Sequence, residues 1–530
     1  MATDWSVALN LNDTSMIHVA DIRVVETTTS LLCISGHAYD RSMRPITDES
    51  FLGLIKASTD NLQKINGCFA GMFVEQDKAT LFTDRVMGGK LYYSIYNNWL
   101  YISNSILRII KECPCEFSIN LDALCEMFKW NCLLSNHTLY QNVFNMKPGR
   151  VAILHRSSKI INWYHYDSVL ERGILDDRPI RIIAKDLVEK LSTCIENAYT
   201  NCGGIGATIT GGLDSRLLLG IAQKLGLTPQ VFTCENDGGY DEYNMIKPLL
   251  AHWGIESRYF PIEDTDYFSM YANHYFRKAN YQCLQHIWFA GSALASAENK
   301  AVINAFGNCL TGIGGGELIR FDNGNTRTSE LYTHFTSKSI HSLVENINRI
   351  SIGYKNYFSN EFIEAIDEIF SRSLFNSTIP YIDKPRGGAD WFLNNRLYNG
   401  VLYFFHMFSD DFLGFSPFLT CEVLDILLSL PNNILTNDLL YKVLFDEVDI
   451  DLMSYSSTRN IGSGEYYRKP KIHTKETAKY VLGTALNSRL LQLNYLDESK
   501  ITTYIESMIA KERIFIDYGL RAIVAASCIV

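Results

Sequence analysis

The chain has 530 residues, enough for two or three domains and a sizeable core. Its composition, 47 % hydrophobic and 20 % charged, is that of a soluble globular protein. A net charge of −10 with no basic run excludes nucleic acid or an anionic membrane as the main partner. No apolar run approaches the roughly 20 residues of a membrane span, and Asp4, Asp13 and Asp21 break up the first segment, so neither a span nor a signal peptide is expected. Thirteen cysteines lie without metal spacing, which points to reduced, mostly buried thiols in a cytoplasm.

Residues 1 to about 165 alternate short apolar runs with turn residues, the pattern of a mainly β domain. Leu31–Gly36, Gly67–Val74, Ala79–Thr83, Lys90–Tyr96 and Trp99–Ser103 are expected as strands. Residues 166–179 are charged and without periodicity, and are expected as a linker. Ile180–Tyr199 then has the spacing of an amphipathic helix.

The stretch Gly206–Leu225 carries the strongest signal. An apolar run (Ile205 to Ile209) leads into Thr210-Gly211-Gly212-Leu213-Asp214-Ser215, and Leu217, Leu218, Ile221, Ala222 and Leu225 follow at helical spacing. Strand, glycine turn and helix start together make an anion site, because backbone N–H groups can approach a phosphate there. Asp214 would repel a bare phosphate but suits Mg²⁺ on a pyrophosphate. Pro229–Thr233, Asp241–Trp253 (with Pro248 as a candidate kink) and Arg258–Ile262 extend the pattern as strand, helix and strand. A βαβαβ run of this kind builds a parallel sheet with ligands at the strand C-termini. Ala301–Ala305 is expected as another strand, leading into Phe306–Glu317 with Thr311, Gly312 and three glycines in a row, Gly314 to Gly316. From Asp390 onward the chain has a helical pattern, through Ser416-Pro417-Phe418-Leu419-Thr420, a helix over Val423–Leu430, Leu440–Phe445, and helices over Thr477–Leu491, Lys500–Lys511 and Ile514–Ser527.

The Thr210–Ser215 turn, with Asp241-Glu242 after the second strand, resembles the PP-loop of ATP pyrophosphatases, and specifically the asparagine synthetase family. Ile65-Asn66-Gly67-Cys68-Phe69-Ala70, Asp84-Arg85, Leu91-Tyr92-Tyr93, Leu121–Leu124, Thr138–Tyr140 and Lys147–Gly149 are similar, in order, to that family's N-terminal glutaminase domain. The resemblance implies an α/β protein: an Ntn-like, glutaminase-type β sandwich over 1–165, and a PP-loop α/β synthetase domain over 180–530 with a parallel sheet and a helical C-terminal region. It implies ATP and Mg²⁺ as cofactors. Thr210, Gly211, Gly212, Asp214, Ser215 and Gly312 would bind nucleotide, Asp214 and Glu317 the metal, and Lys442 and Glu317 would be catalytic. Lys442 lies in a segment similar to the family's K-x-x-L-R, and an ammonium there would neutralise charge developing near an acyl-adenylate.

The departures matter as much. Met1-Ala2-Thr3-Asp4 offers no exposed cysteine at the start, and Cys33 would serve only after loss of residues 1–32, so the first domain is expected to be a degenerate glutaminase. Ile313 and Gly316 stand where the family has a glutamate and a Mg²⁺-binding aspartate. Thr420 and Phe445 replace an acid and an arginine, and Arg320, Arg459, Arg468, Lys469 and Lys471 are further basic groups. Three readings stay open: an ATP-dependent amide ligase joining a small-molecule, peptide or sugar carboxylate to an amine or ammonia; a non-catalytic nucleotide- or partner-binding relative; and glutamine-dependent asparagine synthesis. A homodimer is left open too.

Overall fold

The computed structural model describes residues 5–10, 16–19, 23–26, 30–155, 160–165, 175–201, 204–235, 239–261, 276, 280–281, 308–319, 354–382, 384, 387–403, 414–435, 438–451, 454–458, 463–468 and 473–527. The expected strand over 301–305, Arg320, Arg459, Lys469, Lys471 and residues 1–4 lie outside this set.

The N-terminal part is two antiparallel sheets face to face. One runs, edge to edge, Met16–Val19, Ser6–Asn10, Trp99–Ser103, Tyr92–Tyr96 and Phe144–Asn145. The other runs Ile160–His165, Arg150–His155, Lys78–Thr83, Asn66–Glu75, Ser30–Tyr39 and Arg23–Glu26. Alternation sends Cys33, Met72, Leu81 and Leu154 between the sheets, against Trp5, Val7, Leu100 and Ile102. Leu32, Phe69, Phe73 and Phe82 point the other way, where Phe51, Leu52 and Ile55 of the helix Asp48–Ala57 cover them. Asn97 and Asn98, at φ 47° and 63°, close the hairpin between Tyr92–Tyr96 and Trp99–Ser103, a turn that asparagine tolerates. The central strands pass very close at Gly36 and Gly67: a Cβ on Gly36 would sit 1.9 Å from the Cys68 carbonyl oxygen. The expected strand over Lys90–Tyr96 begins at Tyr92, because Lys90 is drawn away to the carbonyl of Tyr398 at 2.7 Å.

The C-terminal part is built on a five-stranded parallel sheet in the order Ser257–Phe260, Gln230–Cys234, Gly206–Thr208, Cys309–Leu310, Gly414–Phe415. After Gly206–Thr208 the chain adds two strands on one side and then two on the other. The carboxyl end of Gly206–Thr208 is therefore a topological switch point, where neighbouring connections diverge and leave a crevice. The helix Leu213–Lys224 starts there, and Ile180–Asn201 packs beside it. Glu242–Trp253 runs through Pro248 as one helix. The expected helix over Thr477–Leu491 is interrupted at Asn487-Ser488, where Ser488 caps a new turn by accepting from the Leu491 N–H. Helices Asn360–Thr378, Cys421–Ser429, Leu439–Val448, Glu498–Ala510 and Tyr518–Ser527 complete a helical region that shares one apolar core with the sheet. No described helix is long and apolar enough to cross a membrane.

Candidate functional site

The turn after Gly206–Thr208 is held by its own side chains. The Thr210 N–H donates to Ser215 Oγ at 3.1 Å, the two hydroxyls lie 3.2 Å apart, and the Gly212 N–H donates to Thr210 Oγ1 at 3.2 Å. Gly212 is the N-cap of the helix Leu213–Lys224 and supplies no side-chain cap. A helix leaves its first-turn N–H groups without an intrahelical partner, and a helix start of this kind favours an anion. Gly211 is required by close approach rather than by φ, since a Cβ there would lie 2.6 Å from Met245 Sδ and 2.8 Å from Thr458 Cγ2.

A second loop walls in Asp214. A Cβ on Gly312 would lie 2.7 Å from Asp214 Cβ, one on Gly315 2.7 Å from Asp214 Oδ1, and one on Gly316 3.1 Å from Asp214 Oδ2. Glycine at 312, 315 and 316 lets the loop backbone lie against a carboxylate this closely. Glu317 bends back over the loop, its Oε2 accepting the Gly314 N–H at 3.0 Å. Thr311 is buried, and its hydroxyl has no hydrogen-bond partner among the described residues. The loop is braced from outside by Phe418 and Leu419, whose side chains lie against Gly315 and Gly314.

The sequence-expected residues fall into one cluster with one outlier. Thr210, Gly211, Gly212, Asp214, Ser215 and Gly312 surround the switch point, and Glu317 belongs to the loop beside Asp214. Lys442 is exposed on the helix Leu439–Val448. The preceding residue, Tyr441, is buried and donates its hydroxyl hydrogen to Asp214 Oδ1. Consecutive helical residues differ by about 100° around the axis, so Tyr441 facing inward sets Lys442 on the flank.

Behind the turn lie Glu242, noted in the sequence as part of the Asp241-Glu242 pair, and Arg216, which sequence reasoning passed over. Arg216 is fully buried and donates to the carbonyls of Ser456 at 2.5 Å and Tyr455 at 3.5 Å. The Thr458 N–H donates to the Gly211 carbonyl at 3.0 Å, so the 455–458 segment is tied to the turn twice. Burial lowers the Arg216 pKa to about 10 against the pull of Glu242. Burial likewise raises the Glu242 carboxyl to about 7, opposed by the Gly211 N–H and by Arg216. The Asp241 N–H donates to the Tyr466 carbonyl at 2.7 Å, and Gly239–Tyr240 pairs with Ser463–Arg468, which covers the second strand's exit.

Asp214 suits one ligand position of a Mg²⁺ ion, which takes one or two carboxylates and fills the rest with phosphate and water. Among the described residues no group of three His, Cys, Asp or Glu side chains forms a metal cluster. In the N-terminal part, Cys33 lies mid-strand in the sandwich core, and burial raises its thiol to about 12. Burial pushes Cys68 up as well. Neither has the thiolate character of a nucleophile. A cavity of ≈ 30 Å³ between His37, Gly67 and Cys68 on one side and Asn308 and Phe415 on the other has room for water but not for a substrate.

No curated protein matches the chain. Among solved structures, a glutamine phosphoribosylpyrophosphate amidotransferase from B. subtilis, complexed with ADP and GMP, aligns at 9 % identity over 43 % of this chain and 59 % of that one, with a TM-score of 0.19. A structure described as the allosteric regulatory enzyme of purine biosynthesis aligns at 9 % identity over 49 % of this chain and 74 % of that one, with a TM-score of 0.21. The chain thus spans 59 % of the length of the first relative, and at such TM-scores the likeness carries no structural argument. The firm match is local: residues 50–165, from the helix over the second sheet to that sheet's edge strand, match the glutamine amidotransferase domain family.

Proposed function

We propose that the chain is an ATP-dependent amide ligase that activates a carboxylate with release of pyrophosphate and passes the acyl group to an amine or ammonia. The observation that carries this reading is Asp214. It stands on the first turn of a helix at the sheet's switch point, enclosed by a glycine loop and by Tyr441. A lone carboxylate in an anion site fits metal-bound phosphate and little else. The amidotransferase-like domain beside it supports a role in amide chemistry.

Thr210, Gly211, Gly212 and Ser215 hold the leaving pyrophosphate through the turn's backbone and hydroxyls, and Gly312 lets the second loop close on the nucleotide. Asp214 would hold Mg²⁺, joined by Glu317 from the neighbouring loop. The metal, when bound, offsets phosphate charge. Tyr441 orients the Asp214 carboxylate, and Lys442 on the adjoining flank meets charge that develops as the carboxylate attacks the α-phosphorus. The amine then displaces AMP.

The competing reading is a nucleotide binder without turnover. Ile313 and Gly316 favour it, since they leave Asp214 without a neighbouring acid at either position. Product analysis separates the two. MgATP with a cell extract supplying substrates should yield AMP and pyrophosphate from the wild type, and at least about a hundredfold less from Asp214→Ala. Binding of ATP without AMP would favour the silent binder, and no ATP binding at all would sink the assignment of the turn.

A further inference from the structure

The helix Cys421–Ser429 is capped by a residue from the other end of the chain. Its own N-cap, Thr420, makes no capping bond; the Thr420 hydroxyl donates instead to the Pro417 carbonyl at 2.7 Å. The first helical N–H, that of Cys421, donates to Asn66 Oδ1 at 2.8 Å. Asn66 is buried at the start of a central strand of the N-terminal domain. The same Cys421 is held at its other two polar groups. Its carbonyl accepts from Arg85 Nη1 at 3.2 Å, and its thiol donates to the Ile65 carbonyl at 3.4 Å. Arg85 also pairs with Asp425 one turn along, at 2.6 Å.

This grip lies directly behind the Asp214 site. The 3₁₀ turn Pro417–Leu419 precedes the helix, and Phe418 and Leu419 brace Gly315 and Gly314. Gly315 in turn lies against Asp214 Oδ1. The path from Asn66 to Asp214 is therefore continuous contact: cap, helix start, turn, glycine loop, carboxylate. The glycines cannot hold the loop by themselves, because each adds backbone freedom and no side chain to pack. Their position is imposed by what presses on them.

We propose that Asn66 and Arg85 are positioning residues for Asp214, so that the N-terminal domain sets the geometry of the nucleotide site through the Ser416–Cys421 segment. The inference rests on the reading of Asp214 as the metal-binding residue, and one arm of its test does not need that reading.

The test uses the full chain with Asn66→Ala, Asn66→Asp and Asp425→Ala. Asn66→Ala removes the acceptor, whereas Asn66→Asp keeps an oxygen for the Cys421 N–H but gives up the Nδ2 bonds to the Asp40 carbonyl and Met43 Sδ, so it should rescue in part. Asp425 is half exposed, so Asp425→Ala remains foldable if Asn66→Ala does not. The first readout is hydrogen exchange of the 311–319 segment without nucleotide. Exchange should accelerate about tenfold in Asn66→Ala and less in Asp425→Ala, return toward wild type in Asn66→Asp, and stay unchanged over Glu498–Ala510. The second readout is Mg²⁺-dependent ATP binding, whose half-saturating Mg²⁺ concentration should rise about tenfold in Asn66→Ala. Wild-type exchange and wild-type Mg²⁺ dependence in the variants would overturn the proposal. So would acceleration spread evenly over every segment, which would mark a purely structural cap. A wild type that binds no MgATP would instead overturn the nucleotide reading, and the exchange arm would still decide the positioning.

Discussion

At the scale of residues, the two glycines on either side of Asp214 make a sharp comparison. A methyl group at Gly312 would meet Asp214 Cβ at 2.7 Å and the Ser215 backbone nitrogen at 2.8 Å, neither of which can retreat without moving the turn. A methyl at Gly211 would meet the thioether of Met245 and a methyl of Thr458, both side-chain ends. Overpacking of this kind costs about 1–3 kcal/mol, and relief depends on what must move. Gly312→Ala should therefore lower ATP affinity more than Gly211→Ala does, and Met245→Ala should partly restore the second but not the first. Binding titrations of the three single variants and the two double variants with Met245→Ala check this; equal losses, or rescue of Gly312→Ala, would show that the loops do not meet as described. The same residues mark what could be seen beforehand. Thr210 to Ser215 was legible because strand, glycine turn and helix start are neighbours in sequence. Tyr441 was not, because it reaches Asp214 across the fold from a helix whose rotational phase only packing decides. A run of apolar residues such as Leu439 to Phe445 does not tell which of Tyr441 and Lys442 faces inward.

At the scale of elements, two helices that touch across the domain seam carry a titratable joint. The helix Leu121–Trp130 is buried over its last eight residues, Glu126 and Lys129 included. Helix Asn360–Thr378 covers it, through the Lys129–Asp367 pair and a bond from the Ser373 hydroxyl to Glu126. Glu126 also accepts the Leu134 N–H and a bond from His137 Nδ1, each at 2.8 Å. Burial pulls the His137 pKa down, but the charge and hydrogen bond of Glu126, with Asp122, outweigh it and Lys147, so the net direction is upward. A histidine raised in the folded state binds its proton more tightly there than in the unfolded chain. Its contribution to stability is complete below the ordinary value of about 6.5 and is lost as pH rises through the folded value. The urea midpoint should thus fall as pH is raised from 6 through the neutral range, and His137→Gln should flatten that slope while lowering stability at pH 6. A wild-type slope unchanged in His137→Gln would assign the pH dependence elsewhere. The five strands expected in the N-terminal part were legible to within about three residues at each end, because their apolar, β-branched and aromatic runs are bounded by turn residues. Ser6–Asn10, Met16–Val19, Arg23–Glu26, Phe144–Asn145, Arg150–His155 and Ile160–His165 were not expected as strands from the sequence.

At the scale of the molecule, the boundary between the two halves is drawn by connectivity and not by packing. The apolar core of the C-terminal sheet takes in Tyr39, Met43, Val86 and Met87 from the sandwich, and Leu124 and Phe128 from the helix after it. Three cations of the sandwich end on carbonyls of the other half: Arg85 on Cys421, Lys90 on Tyr398 and Lys147 on Asn394. Two of those carbonyls belong to or adjoin the π-helical turn Leu393–Leu397, where the usual ladder leaves acceptors unmatched. Burial lowers the Lys147 ammonium to about 7, a cost tolerable only while that carbonyl is in place. Separating the halves would expose the shared core and strand these groups, so neither half is a stable unit at the seam. Calorimetry of the full chain should show one transition whose van't Hoff and calorimetric enthalpies agree. A fragment covering 175–530 should lack it and bind an apolar dye instead. Two resolved transitions, or a fragment that melts cooperatively at the temperature of the whole, would mean that the sandwich is a passenger, and would remove the physical basis for its influence on Asp214.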